Sequence, residues 1–122
     1  MSENKTFTLN LLARPFDAIK KGTKTVEVRA NKNQTSNDSV NKMRSGDTII
    51  FHKIGTNEEL MCMITRITLY QTVKDLLMQE DINQTLSSGR NLEEGIKSIE
   101  SISDYKEQIA KNGVFAIVVH VL

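Results

Sequence analysis

Residues 114–119, Val-Phe-Ala-Ile-Val-Val, form the longest unbroken apolar run of the chain. The run is far short of the ~20 residues that a membrane-spanning helix needs. Its β-branched and aromatic content suits a strand. A near-continuous apolar strand, unlike an alternating one, must be buried. Asn112-Gly113 stops whatever precedes it, so the expected element is a buried strand over Val114–Val121. A chain carrying such a strand has to build a sheet around it.

The rest of the sheet is readable upstream. Thr6–Leu12 alternates and then turns apolar, as a first strand would. Pro15 opens a short helix, since its missing N–H would be unpaired there anyway, and Gly22 sits where a C-cap glycine belongs. Phe16 and Ile19 share the buried side of that helix. Thr23–Arg29 follows as a β-branched strand. Residues 30–45 are polar and rich in Asn, Ser and Lys, and read as a long mobile loop. Thr48–Ile54 and Glu59–Leu69 flank the turn Gly55-Thr56-Asn57 as a hairpin. Val73, Leu76 and Leu77 mark one helix. Leu92, Ile96 and Ile99 mark another. Ile102, Tyr105 and Ile109 mark a third, with Ser103 or Asp104 as its cap. About five strands and three or four short helices predict an α+β domain over residues 1–122, a small mixed barrel or strongly bent sheet. Its core would draw on Leu9, Leu11, Phe16, Ile19, Val26, Val28, Ile49, Phe51, Ile64, Ile67, Leu76, Phe115 and Ile117.

Several function classes find no support. There is no GxGxxG fingerprint and no P-loop, so no nucleotide cofactor is expected. His52 and His120 have no Cys or Asp at ligand spacing, so no metal site is expected. The single cysteine, Cys62, cannot form an internal disulfide and reads as a small core hydrophobe flanked by the packing residues Met61 and Met63. With no apolar leader at the N-terminus, a cytoplasmic setting is expected.

Charge is segregated although the net is only +1. Residues 14–32 carry six basic and two acidic side chains, whereas residues 73–110 carry four basic and eight acidic ones. A basic pole of this kind can hold a phosphate or carboxylate, and can equally be solvated surface. Within it, strand alternation places Val26 and Val28 toward the core and sets Thr25, Glu27 and Arg29 on the opposite face, outward or in a cleft. Lys24 stands at the strand's start with a stem long enough to curl over the barrel mouth. Arg29 can contact a phosphate, carboxylate or base edge with two N–H groups. Lys24 can act as a point charge, or as a nucleophile or base once burial lowers its pKa, with Glu27 orienting it or moving protons. The plain structural alternative is a surface Glu27–Arg29 pair worth under ~1 kcal/mol. Lys20 and Lys21 suit a helix C-terminus, where cations are favourable. The six aromatic residues, Phe7, Phe16, Phe51, Tyr70, Tyr105 and Phe115, are mostly core in character. A pocket for one nucleotide or a small anion is therefore favoured over a broad stacking surface.

At these residues the chain resembles the ASCH domain family. Gly22-Thr23-Lys24-Thr25-Val26-Glu27-Val28-Arg29 resembles its G-x-K-T-x-E-x-R segment, and Ser45-Gly46-Asp47-Thr48-Ile49-Ile50-Phe51 its G-D-x-I-x-F strand start. Ile64-Thr65-Arg66-Ile67-Thr68-Leu69-Tyr70, followed by a short helix, completes the match across roughly residues 7–80. The resemblance implies a PUA-like β-barrel with flanking helices, a cleft lined by the first motif, and dealings with RNA or modified nucleosides. Some members resemble amidohydrolases acting on N4-acetylated cytidine through a lysine, a threonine and a glutamate. The lysine falls on Lys24, but the threonine's position holds Glu27, and Glu93 or Glu94 is the nearest counterpart of the distal glutamate. Other members are associated with ribonuclease activity or RNA binding, for which Lys24, Glu27 and Arg29 are the natural set, with Thr25, Arg14 and Lys21 as further ligand contacts. Three functions stay open: an RNA- or nucleotide-binding module, a small hydrolase using Lys24 and Glu27, and a regulatory domain recognising a metabolite or protein.

Overall fold

The computed structural model describes residues 3–32, 40–87 and 91–122. Five strands form one curled sheet, a half-barrel: β1 (Thr6–Leu11), β2 (Val26–Ala30), β3 (Thr48–Lys53), β4 (Glu59–Tyr70) and β5 (Val114–Val121). Their order is β1-β3-β4-β5-β2, with β1 parallel to β3 and every other pair antiparallel. A register shift between Ile64 and Arg66, where β4 crosses from β3 to β5, bends the sheet. The two free edges, β1 and β2, are left to face each other.

The apolar run is β5, and both of its faces are covered. Phe115, Ile117 and Val119 join a cluster with Phe7, Phe16, Ile19, Ile49 and Phe51 inside the curl, under helix α1 (Ala13–Lys21). Val114 and Ala116 join a second cluster with Val26, Ala30, Leu76, Ile99, Tyr105 and Ile109. That cluster lies beneath the remaining helices: α2 (Val73–Gln79), α3 (Ile82–Thr85), α4 (Leu92–Glu100) and α5 (Tyr105–Asn112). Every residue expected in the core falls in one cluster or the other, with Leu9, Val28 and Ile67 at their margins.

Some boundaries differ from expectation. α1 begins two residues before Pro15, which occupies its first turn at no cost in hydrogen bonds. Gly22 closes it in the left-handed region, φ 85°, donating to Ala18 and Ile19 carbonyls. β2 starts only at Val26, because the N–H groups of Thr23 and Lys24 are still spent on the Ala18 carbonyl and that of Thr25 on Gln84. There are five α-helices among the described residues rather than three or four. The additional one, α3, is a single turn capped by Asp81, whose carboxylate accepts the Asn83 N–H. Ile102 does not belong to the face of α5; it precedes the helix and is exposed. Met61 is also half exposed rather than packed. The loop expected over 30–45 is shorter at both ends. Ala30 closes β2, Val40–Lys42 forms a 3₁₀ turn, and Met43 is buried in the first cluster. Residues 33–39 of that segment lie outside the described residues.

Two polar ties fix the layers. Lys53 of β3 bonds Asp17 of α1 at 3.0 Å and lies 5.7 Å over the Phe16 ring. At the end of α2, buried Glu80 accepts both Nη groups of Arg66 (2.9 and 2.6 Å) and the Tyr70 hydroxyl (2.6 Å). The Arg66 hydrogen bonds hold the Glu80 carboxyl below its ordinary pKa against the opposing effect of burial. A depressed carboxyl stabilises the fold above its unfolded value of 4.5, and that contribution is lost as pH falls through the folded value. Acid-unfolding curves should therefore be steeper below pH 4.5 for the native protein than for Glu80→Gln. Glu80→Ala should cost about 1–3 kcal/mol at neutral pH in urea unfolding.

Candidate functional site

β2 follows α1 so closely that Lys24 is caught at the junction, with its backbone tied to the end of the helix. The residue is only 5% exposed, and its side chain runs inward. The ammonium donates to the carbonyl of Val26 at 2.6 Å and to that of Thr85 at the end of α3, and lies 3.6 Å from Glu27 Oε1. Burial pushes the Lys24 amine below its ordinary pKa, against the opposing pull of Glu27.

Glu27 and Arg29 pair across the sheet with Ile117 and Phe115, so they point into the curl, not to the solvent. Val26, Val28 and Ala30 face the helical layer instead. Both faces of β2 are thus inward, and Glu27 is 6% exposed. Its Oε2 accepts Arg29 Nε at 2.8 Å. Arg29 Nη2 then crosses the gap between the sheet's free edges and donates to the Asn10 carbonyl of β1 at 2.9 Å. Burial works against the guanidinium charge, but Glu27 and Tyr105 more than offset it and hold Arg29 above its ordinary pKa. Nη1 meets no acceptor among the described residues.

Where the edges stay apart there is a cavity of about 450 Å³. Lys24, Glu27, Arg29 and Tyr105 line it, with Ser87, Ser98 and Ser101 on the helical side. Its mouth is apolar: Leu12, Ile54 and Ile102 all line it and are 67%, 51% and 47% exposed. A polar floor under an apolar rim is the usual make-up of a small-ligand cavity, and exposed aliphatic side chains gathered at one opening mark a contact surface.

Of the residues singled out in the sequence, Lys24, Glu27 and Arg29 line this cavity. Thr25 stands beside it, its hydroxyl donating to Gln84 Oε1 at 3.1 Å. Arg14 and Lys21 are exposed on α1, and Glu93 and Glu94 are exposed in the first turn of α4; none of the four lines the cavity. No described residue of 40–45 lines it either. Asn10, Thr85, Tyr105 and the aliphatic rim carry no motif and emerge only with the fold. His52 is engaged elsewhere, with Asn10 Oδ1 and the Thr56 carbonyl, and burial pushes the Cys62 thiol up to about 11. Among the described residues no group of three or more His, Cys, Asp or Glu is placed to hold a metal ion, and no helix is long and apolar enough to cross a membrane.

The family model of the ASCH domain matches residues 9–122. No curated protein matches the chain. Among solved structures, hypothetical protein PH0355 shares 27% identity at a TM-score of 0.78, over 97% of this chain and 99% of that one. Protein PF0455 from Pyrococcus furiosus shares 24% at 0.73, over 96% and 97%. The S128A mutant of ZmASCH from Zymomonas mobilis shares 15% at 0.57, over 98% and 70%, a likeness of fold.

Proposed function

Since the chain belongs to the ASCH domain family, with its PUA-like fold, we propose that residues 1–122 act as one cytoplasmic domain that binds single-stranded RNA, or a nucleoside or nucleotide, in the cleft between β1 and β2. The observation that carries this is the convergence of Lys24, Glu27 and Arg29 on one cavity of nucleoside size. Glu27 holds Arg29 in place by its Nε side, and Nη1, which meets no acceptor among the described residues, is the donor offered to a ligand. The aliphatic rim accepts the faces of a single base; with Tyr105 the one aromatic in the lining, a long stacked array is not built here. Arg14 and Lys21 on α1, with Thr25, supply contacts to the flanking strand.

The test is a titration of short single-stranded RNAs at about 50 mM salt, where phosphate-driven binding is strong. Arg29→Ala should weaken binding about tenfold, ~1.4 kcal/mol. Absence of any binding by the native protein would sink the reading.

A second reading, a small hydrolase, is favoured by one observation: an amine depressed by burial lies beside a carboxylate in the same cavity. Neutral Lys24 would attack an acyl or phosphate centre, or take a proton from a water that does; Glu27 would relay the released proton to the departing alcohol or amine as its bond breaks, and Arg29 would hold the oxyanion.

A further inference from the structure

Among the described residues the cleft lining is poorly supplied with free positive charge. Lys24 spends its hydrogens on two carbonyls and Glu27, and Glu27 cancels one of the two cations. An RNA strand gains most of its affinity from its phosphates, so contacts outside the cleft lining are needed, Arg14 and Lys21 of α1 among them. Helix α4, with Glu93, Glu94 and Glu100 against Lys97 alone, is net acidic and offers the phosphates little.

We propose that a second, phosphate-binding site lies at the far end of β1, formed by Lys5, Lys42 and Arg44, and that one RNA strand spans from it to the cleft. The site rests on the reading of the cleft as an RNA site. It is a hollow of about 360 Å³, lined by these three cations with Asn4 and Ser45. Of its two acids, Asp47 is buried and turned to the backbone, accepting the N–H of Lys5 at 2.9 Å and of Arg44 at 2.8 Å. Among the described residues of the lining only Glu3 remains against the cations. Arg44 is held by the carbonyls of Asn41 and Met43, which fixes its guanidinium before any ligand arrives. Lys5 and Lys42 pair with no carboxylate among the described residues.

β1 is the ruler between the two sites. Lys5 precedes its first residue, and Asn10 and Leu11 at its other end line the cleft. Six residues at ~3.3 Å each put the sites about 20 Å apart. Thr6, Thr8 and Asn10 stand exposed along the way, while Phe7 and Leu11 face inward. An edge strand of this kind offers hydroxyl, amide and unpaired backbone groups to a chain lying along it. The span suits a strand of roughly four nucleotides, the lower end of site sizes for small single-strand-binding folds.

The experiment compares a dinucleotide with a hexanucleotide RNA across a salt series, using the native protein, Lys5→Ala/Lys42→Ala and Lys5→Arg/Lys42→Arg. Both alanine substitutions keep the backbone N–H that Asp47 uses at Lys5, and a thermal melt checks the fold. The alanine pair should weaken hexanucleotide binding about tenfold and flatten its log–log salt slope by about 1.4, two phosphates at ~0.7 each. Dinucleotide binding should not change, and the arginine pair should restore the slope. An unchanged hexanucleotide slope in the alanine pair overturns the second site while leaving the cleft reading intact. If the native protein binds neither RNA, the cleft reading fails and the second site with it.

Discussion

Glu27→Ala is expected to lower the unfolding free energy by about 3–5 kcal/mol, because it strips the counter-charge from two cations at once. Lys24 Nζ lies 3.6 Å from one carboxylate oxygen and Arg29 Nε 2.8 Å from the other. Neither cation can turn to water cheaply. The Lys24 side chain is 6% exposed, and Arg29 at 21% is held across the gap by Asn10. Domains of this kind have only about 5–15 kcal/mol in hand, so the variant should sit close to unfolding at ambient temperature. Glu27→Gln keeps the volume and an acceptor for Arg29 Nε, and should lose clearly less. Urea unfolding at neutral pH distinguishes the two. A loss under ~1 kcal/mol in Glu27→Ala would mean that the three residues behave as a solvated surface pair, as the plain reading of the sequence allowed.

That reading marks how far the sequence carries. Strand alternation correctly puts Val26 and Val28 opposite Glu27 and Arg29, because the period of two is local. What it cannot say is that the face opposite the helices is also an interior. That follows from the curl of the sheet, which turns Glu27 and Arg29 toward Ile117 and Phe115 and brings edge β2 up to edge β1. β5 was legible from its own composition, and α1 from Pro15 and Gly22, since a strand buried on both sides and a left-handed cap need particular residues in place. α3 was not, being one turn whose only mark is the Asp81 cap. The partner it delivers to Lys24 is a backbone carbonyl 61 positions away, and any residue at 85 could have supplied it. Ile102 had the spacing of a core position on α5, yet the chain enters that helix through Asp104 in the left-handed region, φ 66°, and Ile102 is turned to the cleft mouth. Periodicity registers the apolar residue, not the bend.

Lys24→Met is expected to cost about 2–4 kcal/mol, because the carbonyls of Val26 and Thr85 lose their donor in a dry site. The damage should be local first. The Lys24–Thr85 bond and the Thr25–Gln84 bonds hold α3 against β2, so amide exchange at Thr25 and in α3 should quicken before the sheet is affected. The pH dependence has a definite sign. Burial lowers the folded pKa of Lys24 below 10.5, so between those two values the unfolded chain binds more protons and stability rises with pH. The margin of the native protein over Lys24→Met should therefore widen as pH climbs through that window. A margin that narrows instead would show Glu27, not burial, governing the amine. The same variant separates binding from catalysis. A hydrolase that needs the neutral amine should turn over acylated nucleosides or RNA faster as pH rises, and Lys24→Met should not turn them over at all. Equal turnover by both proteins removes Lys24 from the chemistry. No turnover by either leaves Lys24 the part of clamp, holding α3 at the edge of the cleft where the ligand binds.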